Sequence, residues 1–288
     1  MWFFLSLLNA VFSGMQNAYY KKADLQINPV LVTWSVLAVS SILFLPLFLF
    51  GVPHIGPGFW PAVIGRVVLD SLAFTLYIKA LQLSPLSLTV PMLSIQTLFI
   101  IVTQFLINHL IPSPLGVFGV CIVVFGVYFL HFDHDTKHVL SPFKAIYKEK
   151  GVLLIVIVSI LWSIVVALQK LGVDNSNPYF YTAFFQLFWL LCFTPVALIT
   201  DHQGFRNLFS IRSVKRLAPA GLLDALQVFP QYIAYSLALP VYVNAVGNMG
   251  ILFSSLFGWY FYKEKLYRHL VPTLIILGGV VLVTLSQY

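Results

Sequence analysis

Long, almost unbroken apolar stretches alternate with short polar, basic or proline-bearing breaks along the whole chain. A helix needs roughly twenty mainly apolar residues to cross a bilayer. The pattern predicts ten such spans, at about 2–20, 29–51, 59–83, 86–108, 114–131, 152–171, 178–200, 217–239, 241–262 and 269–287. Pro29, Pro85, Pro178 and Pro240 mark span starts or tight turns, where a missing N–H costs little. Trp2, Trp34, Trp60, Trp259 and Tyr260 fall where interfacial aromatics are expected. The stretch 1–18 lacks a basic leader and a small-residue cleavage site, and it runs into Tyr19, Tyr20, Lys21 and Lys22. It therefore reads as a retained first span rather than a signal peptide. The expected fold class is an all-α integral membrane protein.

Composition sharpens this reading. The chain is 60% hydrophobic and only 9% charged, whereas soluble domains carry about a quarter charged residues. So few charges cannot cover a water-facing surface, and the solvent must be mostly lipid. The net charge of +7 does not point to nucleic acid, because the basic residues sit at segment ends rather than in one patch. Cys121 and Cys192 lie deep in apolar runs and are expected to pack as hydrophobes, without a disulfide.

The chain also repeats itself. Lys21, Asn28-Pro29, Thr33, Phe44 and Pro46 recur 149 positions later as Lys170, Asn177-Pro178, Thr182, Phe193 and Pro195. Phe74 and Tyr77-Ile78 recur at an offset of 155 as Phe229 and Tyr232-Ile233, and Gly126-Val127 matches Gly279-Val280. Their common order marks a duplicated unit: a first five-helix repeat at 1–131, a linker at 132–150 and a second five-helix repeat at 151–288. Five spans is an odd number, so the second repeat enters from the opposite face and the two are inverted. Fourteen of the 16 basic residues fall at or beyond the ends of spans 1, 3, 5, 7 and 9. The positive-inside rule places these loops in the cytoplasm and both termini outside. The exceptions are Arg66, inside span 3, and Lys170, at the end of span 6. In 140–150 the apolar residues recur at helical spacing opposite lysines, as in a helix lying on the membrane surface. The segment 201–216 resembles it, with Phe205, Leu208 and Phe209 among basic residues. Each reads as an interfacial linker, with a docking site as the alternative.

At this point the chain resembles the EamA-type members of the drug/metabolite transporter superfamily, over nearly its whole length. The resemblance is carried by the first span ending in Lys21 and its copy from Trp162 to Lys170. It is carried also by the run from Tyr77 to Pro91, similar to the family's helix-turn-helix between spans 3 and 4, and by Leu256 to Glu264 with the glycines of the last span, Gly278-Gly279. His109 stands where the second repeat has Glu264, so the first repeat lacks the family's acidic link. The resemblance implies ten helices in two inverted five-helix units. It also implies a central cavity lined by spans 1, 3, 4, 6, 8 and 9, and small organic substrates: amino acids, nucleobases, sugars or amphipathic drug-like metabolites.

Polar residues at bilayer depth are the site candidates, because each charge there costs roughly 2.5–3.5 kcal/mol on insertion scales. Arg66 and Asp70 share a face of span 3 at i, i+4. They read either as a neutralised pair fixing the span or as a gate or substrate clamp. Asp224 in span 8 has Gln227 and Gln231 on its stripe and no basic residue three or four positions away. A carboxylate buried without a cation is a group that takes up protons, which makes Asp224 the candidate for proton coupling. Its alternatives are a partner on another helix or a hydrated position. Asn244, Gly247 and Asn248 in span 9 can offer hydrogen bonds to a solute, or glue helices together. Gln96 and Thr97, Gln16 and Asn17, and Gln169 are weaker versions of the same case. Tyr77, Trp162, Tyr232 and Tyr235 can line an aromatic cavity, or simply pack.

His131, His134 and His138, with Asp133 and Asp135, are too loosely spaced to predict a metal site and read as a hydrated loop. No metalloprotease, hydrolase or P-loop motif is present, so neither an enzyme nor an ATP-driven pump is expected. The sequence thus predicts a secondary carrier whose halves rock around a midplane site, without cofactors, in the plasma (bacterial inner) membrane. Its expected partners are a small-molecule substrate, protons and the lipid bilayer, with a homodimer left open and no nucleic acid. A lipid-carrier flippase on the same scaffold is the alternative function.

Overall fold

The computed structural model describes residues 1–23, 27–84, 92–130, 149–262 and 270–287. Among them every regular element is helical. The helices are α1 (Trp2–Ala23), α2 (Pro29–Phe44, continued by a 3-10 turn at Leu45–Phe50), α3 (Phe59–Leu83), α4 (Ile95–Asn108), α5 (Pro114–Leu130) and α6 (Lys150–Asp174). They continue with α7 (Pro178–Thr200), the short α8 (His202–Asn207), α9 (Ile211–Leu237), α10 (Pro240–Gly247), α11 (Met249–Tyr262) and α12 (Leu270–Leu285). The repeated Asn-Pro pair starts two of them in the same way. The side-chain oxygen of Asn28 accepts from the Val30 N–H at the start of α2, and that of Asn177 accepts from the Phe180 N–H at the start of α7. The ninth predicted span is divided at Asn248 into α10 and α11.

α2 with its continuation (Pro29–Phe50), α3, α6 and α7 are long and apolar enough to cross a membrane, and Ile95–Asn108, Pro114–Phe129 and Val271–Leu285 are shorter apolar helices. α1 and α9 have 22 and 27 residues and carry much of the polar chemistry described below. Large apolar side chains such as Leu49, Ile199, Val68, Leu106 and Leu274 stand outward on the bundle. A surface this apolar is suited to lipid rather than water. The protein is a multi-pass membrane protein.

Three expectations about individual positions are corrected. Cys121 and Cys192 are free and exposed rather than packed, because an apolar run in a membrane bundle also supplies the lipid-facing surface. Trp2 is buried among valines and tyrosines instead of standing at an interface. In 201–216, Phe205 and Leu208 are buried in the bundle, and Phe205 packs edge-on against Trp34 at 4.7 Å. That segment is docked on α2 through Phe205 and Leu208, while Phe209 stays exposed beside Trp34. The surface helix expected at 140–150 lies almost wholly outside the described residues, as do the histidine loop, Pro85 to Pro91 and Glu264.

The two halves of the sequence do not form separate lobes. The closest helix pairings all join one half to the other: α3 with α6, α5 with α12, α1 with α9 and with α11, α4 with α6, and α2 with α7 and α9. Point contacts give their directions. Gly56 and Gly58 at the start of α3 bond Asn175 past the end of α6, while Ser84 past the end of α3 bonds Glu149 before the start of α6. α3 and α6 therefore run antiparallel. α1 runs antiparallel to α9 through Asn9 to Gln227, Gln16 to Ala220 and Tyr19 to Arg216. α2 and α7 are likewise antiparallel, through Trp34 to Thr194 and Ser41 to Gln186.

Glycine allows the closest approach. A Cβ on Gly119 of α5 would stand 2.9 Å from the Gly279 carbonyl oxygen of α12, and one on Gly279 would stand 2.8 Å from that of Gly119. The obstacles are backbone, which cannot rotate away. The sequence repeat matches Gly279 with Gly126, yet in space Gly279 meets Gly119 and Gly126 meets Ile276. Gly119→Val should destabilise the protein by about 1–3 kcal/mol through overpacking. Thermal unfolding of the purified variant checks this; an unchanged midpoint would mean that the two helices are not in backbone contact there.

Candidate functional site

A cavity of about 250 Å³ lies between helices of both halves. α1 contributes Asn9, Ser13, Gln16, Asn17 and Tyr20, and α3 contributes Arg66, Asp70, Phe74 and Tyr77. α6 supplies Trp162, Val165, Val166 and Gln169, and α9 supplies Asp224, Gln227, Val228, Gln231 and Tyr232. Leu93 and Gln96 enter from the α4 side, Gln186 and Trp189 from α7, and Asn244, Gly247, Asn248, Gly250 and Ile251 from α10 and α11. Polar side chains on apolar helices cluster here because no other place in a lipid-solvated bundle hydrates or pairs them.

Arg66 and Asp70 form a buried ion pair, with Nε donating to Oδ2 at 2.9 Å. One helical turn brings the two side chains together, and the pair is 5% and 4% exposed. The Arg66 Nη1 also donates to the Tyr232 hydroxyl at 2.7 Å. Its guanidinium lies over the Phe185 ring, 3.7 Å from the centroid, where the ring face attracts a cation. Arg66 thereby ties α3 to α9 and α7 at once.

Asp224 is also buried. Gln16 of α1 and Ser40 of α2 are its polar neighbours, although Gln16 Nε2 donates to the Ala220 carbonyl and Ser40 Oγ to the Val36 carbonyl, and among the described residues no cation forms an ion pair with it. Asp224 is thus placed at the cavity among polar neighbours from other helices and without an ion-pair partner.

Further contacts shape the walls. The Tyr77 hydroxyl donates to Asn17 Oδ1 at 3.2 Å, and Asn248 Nδ2 donates to Thr97 Oγ1 at 2.9 Å. Tyr77 and Trp162 pack with ring centroids 5.1 Å apart, and Phe74 lies 6.5 Å from Trp162 and 6.3 Å from Trp189. These four rings form one aromatic wall. Buried atoms without a partner remain on Gln169 (Nε2), Gln186 (Oε1) and Gln227 (Oε1).

Of the residues singled out in the sequence, Asn17, Arg66, Asp70, Tyr77, Gln96, Trp162, Asp224, Gln227, Gln231, Asn244 and Asn248 all line this cavity. Tyr235 does not. It is fully buried behind the wall, where its hydroxyl accepts from Gln231 Nε2 at 2.9 Å and Asn244 Nδ2 at 2.6 Å. It orients the two amides rather than meeting a solute. Asn9, Gln186 and Trp189 were missed, although Asn9 and Gln186 are amides inside apolar runs like those that were chosen. Phe185 under Arg66 carries no signal in the sequence, since one phenylalanine among many looks like lipid-facing surface. Lys170, the other exception to the charge tally, pairs with Asp174 at 2.7 Å.

Fold and cavity together define a helical membrane protein with a polar centre enclosed by both halves of its chain. The model of the EamA-like transporter family matches residues 1–132 and again 149–285, and the chain belongs to that family. It is a membrane transporter of the drug/metabolite transporter superfamily, a class of transporters rather than enzymes. No curated protein matches it in sequence. Among solved structures, one titled "Crystal structure of protein" is similar with a TM-score of 0.70 at 14% identity, covering 97% of this chain and 96% of that one. This likeness concerns the fold alone. Nothing in these comparisons supports the flippase alternative.

Proposed function

We propose that the protein is a secondary carrier that moves a small organic solute through this cavity by alternating access, with ten crossings arranged as two inverted five-helix repeats. The observation that carries the reading is the cavity itself, a polar pocket formed by helices of both halves inside an apolar bundle. The inverted arrangement draws support from helix direction: α2 and α7 occupy equivalent places in the two repeats and run antiparallel. The family match also falls in two segments. The bias of the basic residues supports a topology with the basic loops in the cytoplasm of a plasma membrane and both termini on the opposite side.

Because the tightest packing crosses between the halves, the moving bodies are not the halves themselves. One body is α3 with α4 and α6; the other is α1 with α9, α10 and α11. Three side-chain bridges join the two bodies: Asn248 to Thr97 ties the α10–α11 junction to α4, and the other two close opposite ends of the cavity. Arg66 to Tyr232 lies near the outer end of α3, and Tyr77 to Asn17 lies eleven residues on, about 16 Å further towards the cytoplasm at 1.5 Å per residue. Tyr77 and Tyr232 are the matched tyrosines of the sequence repeat, so inversion sets one at each gate. A solute enters when one bridge opens and leaves when the other does. Asp224, faced by Gln16 and Tyr20 from α1, Ser40 from α2, and Arg66 and Asp70 from α3, carries the coupling proton.

Sided labelling tests the gates. A cysteine replaces Asn244 in a background with Cys121 and Cys192 removed, and an impermeant thiol reagent is applied from either face. Tyr232→Phe should speed labelling from the outer face, and Tyr77→Phe from the cytoplasmic face. If both variants open the same face, or neither changes access, the gate assignment is wrong.

A further inference from the structure

We infer that the solute carried is a small organic cation with a flat or aromatic body. The inference rests on the carrier reading and names the substrate class of its cavity. The argument begins with charge. Among the described residues the lining holds one cation, Arg66, and its charge is already met by Asp70, by the Tyr232 hydroxyl and by the face of Phe185. Nothing cationic is left over to receive a carboxylate or phosphate. The lining also holds a second carboxylate, Asp224, whose nearest polar neighbours on other helices are an amide, Gln16, and a hydroxyl, Ser40. The cavity therefore presents one carboxylate without an ion-pair partner, which a bound cation would pair once the carboxyl proton has left.

The uncharged surface selects in the same direction. The wall of Phe74, Tyr77, Trp162 and Trp189 offers ring faces, which attract cations and stack against flat groups. Gln186 is 2% exposed and lines the cavity with its Oε1 unpartnered, and the Oε1 of Gln227 is also unpartnered. Both lack a donor, and an ammonium group brings several. The unpartnered Nε2 of Gln169 is the complement, a donor for a carbonyl or hydroxyl elsewhere on the solute. An anion of the same size would meet the field of Asp224 with no free cation to offset it.

Three probes with one ring body and different charge separate these cases: phenethylammonium, phenethyl alcohol and hydrocinnamate. Each is titrated against the purified full-length protein with thermal unfolding as the readout, since a ligand raises the midpoint of the state it binds. Phenethylammonium should bind about tenfold or more tightly than phenethyl alcohol, the factor expected for one desolvated charge contact, and hydrocinnamate should bind most weakly. In Asp224→Asn the preference of cation over alcohol should shrink about tenfold, and in Asp224→Glu it should return. If Asp224→Asn does not fold, the ranking on the unaltered protein decides. A ranking led by the anion or the alcohol overturns the inference, as does the absence of any shift with the cation. Counterflow of labelled phenethylammonium in proteoliposomes then separates the two readings. Binding without flux keeps the cation site and defeats the carrier, whereas flux of an anion without cation binding does the reverse.

Discussion

Proteoliposomes holding Asp224→Asn should lose proton-driven accumulation of the solute while retaining exchange down its gradient. The residue is the one carboxylate among the described lining residues without an ion-pair partner, and it is buried near Gln16 and Ser40 of two other helices. A proton can occupy it without breaking a salt bridge, unlike Asp70, whose deprotonated form is needed by Arg66. Replacing the carboxyl by an amide keeps the shape and removes the proton site. Uptake against a gradient should fall to the level of empty liposomes, and exchange should persist once the solute is raised to saturate the weakened site, because the remaining cavity walls are unaltered. Measuring both in one preparation decides the matter. If accumulation under an imposed pH gradient is unchanged in the variant, Asp224 does not couple protons to transport.

Arg66→Ala should be among the most destabilising single substitutions in the protein, by about 3–5 kcal/mol, because it leaves a buried carboxylate without its cation. Three contacts are lost together: the 2.9 Å pair with Asp70, the 2.7 Å bond to Tyr232 and the stack on Phe185. Breaking only the Asp70 side should cost similarly. A double variant, Arg66→Met with Asp70→Leu, removes both charges at once and should recover most of the stability, since buried pairs are often replaceable by apolar residues of similar volume. Thermal unfolding gives the stability cycle, and transport gives the function. A stable double variant that no longer transports places the pair in the gate. One that transports normally reduces the pair to a device for seating α3, and the gate reading fails with it.

Much of the site was legible along the chain because of a single physical constraint. A polar side chain in hydrocarbon must face other protein or water, so Asp224, Gln227, Gln231, Asn244 and Asn248 could be chosen one by one from apolar spans. The structure does gather them around one cavity. Residues that act through shape rather than polarity were not legible. Phe185 and Trp189 sit in an aromatic-rich run of α7, where lipid-facing and cavity-facing rings look the same. Tyr235 shows the opposite case: its hydroxyl suggests a lining role, yet two cavity-lining amides engage it and it lies behind them.

The order of apolar runs and polar breaks alone determined that this is a helical membrane protein, because the cost of unpaired backbone in lipid leaves helices as the response to such runs. The same sequence marked the duplication, the Asn-Pro helix starts and the rare charges at depth. Only the tertiary structure decided which helices meet. Pairing depends on the fit of whole helix faces, such as glycine against glycine at Gly119 and Gly279, and no local period encodes it. That is why the halves turned out interleaved rather than lobed, why Arg66 reaches Tyr232 across 166 positions, and why Asp224 lines the cavity with no ion-pair partner among the described residues.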